Sequence, residues 1–510
     1  MLPENPPSPW YWRFLRWAFT CAVVLLVLAA AAITEENWRG KHEWEAYQQA
    51  AEARGEWFSW SAIAGPPVPA DQNFAQAPVF ASLLNQVWDE TKQEWQAQPP
   101  DAKDPLALSP YYGDARDPGG HGDWTQARLT RLEVWQNYYR HPDPQFAGDF
   151  PLAPSPQSPG ADVLQALGKF DSALAGLRLA CQRPLVQLGV TNVTDAKSVS
   201  HLFNYLAVCK RFTQVLSLRA VASLAGQQPD QGLADVQLIL QLNAKLASQP
   251  LLIVHLVSLA INAYSLQPIY EGLTQHRWTD AQLASLDQSL AARDFLADYQ
   301  TAMRGERAFA HESLENLRIT REYPTQVAEN TTKTVGLRFV PSAFFYQNEL
   351  TFARLSDHVV LPLVDVTNRL VSPAAVRQAS ADISRQIKQY SPYQLEGLMT
   401  MPALINCVKK FAIAQANMDL ARLACALERY RLANGHYPET LAGLAPQYLA
   451  RLPHDLINGQ PLHYQRTPGE NVMLYSVGWN GTDDGGTVAL NKKGVVDRDQ
   501  GDWVWNSAAQ

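Results

Sequence analysis

Residues Ala403 to Asn434 read ALINCVKKFAIAQANMDLARLACALERYRLAN, and their pattern sets the fold class. Leu404, Val408, Phe411, Met418, Leu423 and Leu427 line one apolar face at helical spacing. At 3.6 residues per turn the stretch spans roughly nine turns. Its end, ALERYRLANGHYP at Ala426–Pro438, puts Gly435 where a left-handed residue closes a helix, with an extended Tyr-Pro after it.

Beyond that helix the period changes. Leu441, Leu444 and Tyr448-Leu449 precede Leu452-Pro453-His454-Asp455, and then short extended segments follow. Leu462-His463-Tyr464 and Val472 to Gly478 read as strands, Asn480 to Gly486 (NGTDDGG) as a tight acidic loop, and Gly501-Asp502-Trp503-Val504-Trp505 as a closing strand.

Upstream, Ala161 to Arg321 is helical in period, with Leu164, Leu167, Phe170, Leu174 and Leu177 at three- and four-residue steps. Thr279 followed by Gln282 is a capping box that opens a helix presenting Leu283, Leu286 and Leu290. Gln214 to Gln249 loosely resembles one tetratricopeptide unit, without the further copies a solenoid needs. Further helices fill 340–434, interrupted near Pro362, Pro373, Pro392 and Pro402. Leu251 to Gln267 carries no charge, but His255, Ser258, Asn262 and Ser265 favour a core helix ending at Pro268 over a second membrane span.

Residues 57–160 hold 15 of the 34 prolines, and the first 135 residues hold 11 of the 15 tryptophans. Aromatic-anchored loops are expected there, with short helices such as Phe80–Gln96 and a linker at Pro151–Pro159. The predicted class is mainly α, with a small C-terminal α+β domain (a long helix plus a short antiparallel sheet) and one N-terminal transmembrane helix. The expected organisation is 1–16 cytoplasmic, 17–34 membrane anchor, 35–160 helix then Pro/Trp-rich region, 161–402 helical domain and 403–510 α+β head.

The anchor is WAFTCAVVLLVLAAAAIT, Trp17 to Thr34, uncharged and just long enough for a hydrocarbon layer of about 30 Å. Arg13 and Arg16 before it and Glu35 and Glu36 after it place the N-terminus in the cytoplasm and the bulk of the chain in the periplasm, as a single-pass inner-membrane protein. Trp10, Tyr11, Trp12, Trp38 and Trp44 suit the two interfaces. A cleaved signal peptide, cut near Ala29–Ala32, is the alternative; the polar helix expected over 35–56 favours an uncleaved anchor.

With 42 basic and 49 acidic residues the net charge is −7, and the pI of about 5.9 lacks the footprint of a nucleic-acid binder. The mean hydropathy of −0.22 is too polar for a multispan transporter. Five cysteines make no disulfide framework: Cys407 and Cys425 lie five turns apart on one helix, while Cys181 and Cys209 can meet across a helical hairpin around Val190–Asp195.

The C-terminal order of helix, Asn-Gly and Tyr-Pro, leucine turn, Leu-Pro and Asp, short strand, Tyr-Ser-Val-Gly, acidic glycine loop and Gly-Asp-Trp resembles the globular head of the major pseudopilin of type II secretion, over about residues 403–505. The resemblance implies a long helix packed on a small antiparallel sheet, and calcium held near the C-terminus. Asn480, Asp483 and Asp484 are the matching oxygen ligands, for weak binding of about 10⁻⁴–10⁻³ M; an Asn-Gly turn with solvated acids explains the same residues. Asp455-Leu456-Ile457-Asn458-Gly459 departs from the family's turn, and the helix follows some 400 residues of other protein. Polymerisation as a pilus subunit is therefore not expected.

No GxSxG, HExxH, P-loop or CxxC occurs. Tyr111 to Trp124 (YYGDARDPGGHGDW) concentrates Asp114, Asp117, His121 and Asp123, either a solvent-exposed turn or a metal-hydrolase or sugar-binding site. Arg304-Gly305-Glu306-Arg307 to His311-Glu312 reads as charge pairs on a solvated helix face. The expected function is a membrane-anchored periplasmic scaffold or interaction protein, with secretion or pilus-assembly proteins as partners. An exported metal-dependent or glycan-active hydrolase using the 111–124 loop is the alternative.

Overall fold

The computed structural model describes residues 10–84, 86–89, 94–97, 106, 117–141, 150–189, 196–322, 336–389, 391–468 and 470–508. The fold is mainly helical, with short antiparallel sheets at its C-terminal end. Asp114 and the Val190–Asp195 turn lie outside the described residues.

Helix α1, Trp10–Glu52, runs 43 residues without a break. Its apolar half is exposed from Trp10 to Leu28, whereas Gly40, Trp44 and Ala51 are buried in the body. Within the apolar half, Thr20 donates its hydroxyl to the carbonyl of Arg16 at 2.9 Å, and Thr34 to that of Ala30 at 2.8 Å, so neither needs water. The chain therefore has a long apolar helix that qualifies as a membrane span by length and composition.

Two short helices follow, α2 (Trp60–Ala64) and α3 (Pro78–Leu84). The helix expected over Phe80–Gln96 stops at Leu84. Strands β1 (Gln86–Asp89) and β2 (Glu94–Ala97) pair antiparallel beyond it, with Trp88 opposite Trp95. Valine and tryptophan fit a pleated ribbon, and here that preference overrides the helical spacing.

The body is built by α4 (Leu132–Arg140), α5 (Pro159–Leu167), α6 (Asp171–Gln182), α7 (Ala196–Ala225), α8 (Pro229–Ala247), α9 (Leu252–Thr274), α10 (Asp280–Ala291) and α11 (Phe295–Thr320). The capping box at Thr279 and Gln282 forms as expected, with both reciprocal bonds present. Cys181 and Cys209 are buried free thiols.

Helix α9 is a core element: 61% of its most apolar window is buried, against 0% for α1. It does not end at Pro268 but runs on to Thr274. A proline nitrogen cannot bond the carbonyl four residues earlier, here that of Tyr264. Ser217 of α7 supplies the missing donor, its hydroxyl 2.9 Å from the Tyr264 oxygen. A hydroxyl on the neighbouring helix thus satisfies the acceptor that the proline orphans.

Helices α12 (Ser342–Leu355), α13 (Pro373–Lys388) and α14 (Leu395–Asn434) complete the body. A π-helical turn, Ser356–Val360, follows α12, and the β3–β4 hairpin (Val364–Asp365, Leu370–Val371) follows that turn. Pro373 sits in the first turn of α13, where its missing N–H costs nothing, whereas Pro402 lies inside α14, which begins at Leu395.

The C-terminal strands are β5 (His463–Thr467), β6 (Asn471–Ser476), β7 (Val488–Leu490), β8 (Val496–Gly501) and β9 (Trp503–Asn506). They form a three-stranded antiparallel sheet, β5-β6-β9, and a two-stranded one, β7-β8. One apolar core runs from Trp124 through α9, α10, α11 and α14 to Leu474 and Trp505 of this region.

The charged stretch of α11 is not a solvated face. Arg307 is 1% exposed, stacks over Phe58 at 4.5 Å and bonds Glu56 at 2.6 Å and Asp357 of the π-turn. Arg304 joins the same Glu56 at 3.0 Å, and Tyr47 donates to Asp357 at 2.6 Å. His311 lies 3.4 Å from the buried Glu349, with Trp44 against its ring at 5.2 Å. These charges hold the end of α1 to the body, and their partners lie too far off in sequence for local spacing to reveal.

Candidate functional site

The 117–131 segment is built into the body rather than left in solvent. Asp123 and Arg128 form an antiparallel bridge closed by the 3₁₀ turn Trp124–Gln126, and Ala127 takes a left-handed φ of 55°. Asp123 caps that turn, accepting from the Thr125 amide at 3.1 Å and hydroxyl at 2.6 Å and from the Gln126 amide nitrogen at 2.8 Å.

Helix α9 pins the loop with two side chains one turn apart. Gln267 accepts from the Trp124 amide at 2.7 Å and donates to the Arg128 carbonyl at 3.1 Å. Glu271 accepts from the Thr130 amide at 2.9 Å, the Thr130 hydroxyl at 2.6 Å and Gln267 at 2.8 Å. Burial raises the Glu271 pKa, with those donors opposing it. Only glycine fits at 122, where a Cβ would lie 2.1 Å from the Gln267 nitrogen.

Of the sequence candidates in this loop, the structure joins Asp117 to His121, at 2.7 Å, and commits Asp123 to the cap and to Arg128 at 3.3 Å. His121 stands edge-on to Trp135 with ring centroids 5.0 Å apart. Burial lowers its pKa, although Asp117 pulls the other way, which favours the neutral imidazole.

Beside this loop lies a cavity of about 280 Å³ between α4, α7, α9 and the β8 strand. Trp124, Trp135, Tyr139 and Tyr264 form its aromatic wall, Gln214 and Gln267 its polar one, and Arg498 of β8 closes it. Among the described residues no hydrogen bond or ion pair engages the Arg498 guanidinium. Burial lowers its pKa, with Asp123 as the opposing charge. Three further lining atoms are buried without a hydrogen-bond partner among the described residues: Trp135 Nε1, Tyr139 Oη and Gln214 Oε1.

No family model, characterised protein or solved structure matches this chain.

The acidic loop is organised around Asp502, which is 2% exposed and accepts from the amides of Gly486 at 2.7 Å and Asp484 at 3.1 Å. Asn480 spends its side-chain oxygen on the Thr482 amide at 2.9 Å and turns its amide nitrogen to Asp484 at 2.8 Å. Asp483 accepts from the Gly485 amide at 2.9 Å and faces His463 at 3.6 Å. As arranged, Asn480, Asp483 and Asp484 close turns, with the Asn480 amide nitrogen turned toward Asp484. Among the described residues no group of three His, Cys, Asp or Glu side chains converges on a metal position.

A second cavity, of about 430 Å³, opens at the seam of α10, α14 and the Arg451–His454 turn. Its arginines are largely spent on carboxylates: Arg293 on Asp298, Arg369 on Asp294 at 2.7 Å and Arg422 on Asp287 at 2.8 Å. Sequence reading missed Arg498, Gln267 and Glu271. The pair at one-turn spacing, with Glu271 the one acid on a helix free of Lys and Arg, was the signal for the last two; a lone arginine in an acidic strand gives none for the first.

Proposed function

We propose that the chain is a single-pass inner-membrane protein, N-terminus in the cytoplasm, whose periplasmic body and pseudopilin-like head form a scaffold or interaction module linked to type II secretion or pilus-type machinery. The continuity of α1 carries this reading. The helix holding the apolar run passes without a break into a segment clamped by Arg307 and Asp357, as an uncleaved anchor would. A long helix followed by antiparallel strands supports the likeness of the head.

Topology is tested with Ser8→Cys and Ser507→Cys and a membrane-impermeant maleimide. Labelling at 507 once the outer membrane is permeabilised, and at 8 only after lysis of the inner one, is expected. A mature chain beginning after Ala32 overturns the anchor. Partners are sought by crosslinking the intact chain in its native cells, because α14 belongs to the body core and removing 403–510 would unfold the remainder. Recovery of secretion or pilus-assembly components is expected; their absence overturns that assignment. Calcium at the acidic loop would require Asn480 to turn its oxygen toward Asp484, and calorimetric titration with calcium decides it.

The Asp117–His121 pair beside an aromatic-walled cavity favours an exported hydrolase as the second reading. Turnover of a glycan or phosphoester that is lost on His121→Ala would establish it.

A further inference from the structure

The 280 Å³ cavity differs from the other voids in the balance of its groups. Its walls are aromatic and aliphatic; among the described residues its interior leaves one acceptor (Gln214 Oε1), one donor (Trp135 Nε1) and one hydroxyl (Tyr139 Oη) unmatched, and one guanidinium faces it without a hydrogen-bonded anion. Buried polar atoms are normally paired, by protein or by a bound molecule. Asp123, the carboxylate that acts electrostatically on Arg498, spends its hydrogen bonds on Thr125, Gln126 and Arg128, so among the described residues Arg498 has no hydrogen-bonded carboxylate of its own.

We propose that this cavity binds a small amphipathic anion, an aromatic body bearing one carboxylate, with the carboxylate on Arg498 and the ring between Trp124, Trp135 and Tyr139. A planar guanidinium matches a carboxylate through two parallel N–H bonds. A single guanidinium without a hydrogen-bonded anion suits a single negative charge; a phosphate dianion would leave one charge uncompensated. Size agrees: an apolar cavity of about 150 Å³ admits benzene, and this one has room for two fused rings or one ring with a short arm. The orphan donor and acceptor suit polar substituents on the ring edge. Because Arg498 comes from the C-terminal sheet and the tryptophans from the 117–135 segment, the ligand would also bridge the head to the body.

The test uses the full chain in detergent, with 1-naphthoate as probe and 1-naphthamide as its neutral isostere, read by quenching of tryptophan fluorescence and by calorimetry. Saturable naphthoate binding at least tenfold tighter than naphthamide is expected, and Arg498→Gln should erase that difference. Leu218→Trp, which extends a lining residue into the void, should weaken both probes at least tenfold. Absence of saturable binding, or equal affinity for acid and amide, overturns the proposal; so does binding that Arg498→Gln and Leu218→Trp leave unchanged. Should Arg498→Gln fail to fold by circular dichroism, the comparison of acid with amide on the native chain and the Leu218→Trp result decide alone.

Discussion

The hydroxyl of Tyr47 donates a 2.6 Å hydrogen bond to Asp357, tying the helix that carries the apolar run to a turn 310 residues further along. Arg307 completes the junction, buried between Asp357 and Glu56. Replacing Arg307 with leucine keeps much of the volume but removes the cation shared by Asp357 and Glu56, leaving Asp357 with the Tyr47 hydroxyl and Glu56 with Arg304. Breaking such a buried pair from one side costs about 3–5 kcal/mol. Urea unfolding in detergent should show a loss in that range for Arg307→Leu, and a clearly smaller one for Arg385→Leu, whose partner Asp382 is solvent-facing.

Two residues before Arg307, Gly305 passes so close to the 250 turn that a Cβ would lie 1.4 Å from the Pro250 carbonyl oxygen. The neighbour is backbone and cannot swing away. Gly305→Ala should therefore destabilise the chain by about 1–3 kcal/mol or more. Gly336→Ala, where no atom of the described residues lies within 4 Å of the added carbon, is the control expected to change little.

Acid stability should depend on Glu428. Burial opposes its ionisation, but hydrogen bonds from Arg431, His276 and Tyr437 win and hold its pKa down to about 2. A depressed acid contributes fully above its ordinary value of 4.5, and that contribution disappears as pH falls toward about 2. Unfolding free energies measured between pH 6 and pH 2.5 should fall less steeply in Glu428→Gln than in the native chain, the difference being on the order of 2–3 kcal/mol.

Glu306 behaves in the opposite sense. Burial raises its pKa to about 7, and no described group pairs with it. Ionising it in the folded chain is costly, so stability drops as pH rises from the ordinary 4.5 through about 7. Glu306→Gln should raise the melting temperature at pH 8 and leave it nearly unchanged at pH 4. An equal gain at both values would show packing, not charge, at work.

How much of this was legible depended on sequence distance. The capping box at Thr279 and Gln282 and the α14 face from Leu404 to Leu427 are local patterns, and both formed. Pro268 looked like a helix end because the rescue comes from Ser217, on another helix. The charges from Arg304 to Glu312 looked solvated because Glu56, Asp357 and Glu349 all lie elsewhere in the chain. The cavity was half legible: His121 and Asp117 stood out in a glycine-rich run, whereas Arg498 became visible only once β8 was seen against α9.

The unbroken course of α1 into the clamp makes residue count an angular coordinate. Each residue of an α-helix advances about 100° and 1.5 Å. One alanine inserted between Ile33 and Asn37 would lift the body by little more than an atom's width, yet swing it more than a quarter turn about the helix axis. The compass bearing of the body relative to any neighbour beside the apolar run is thus written in the spacing between that run and Trp44, and a neighbour that reads this bearing would tolerate changes of composition there but not of length.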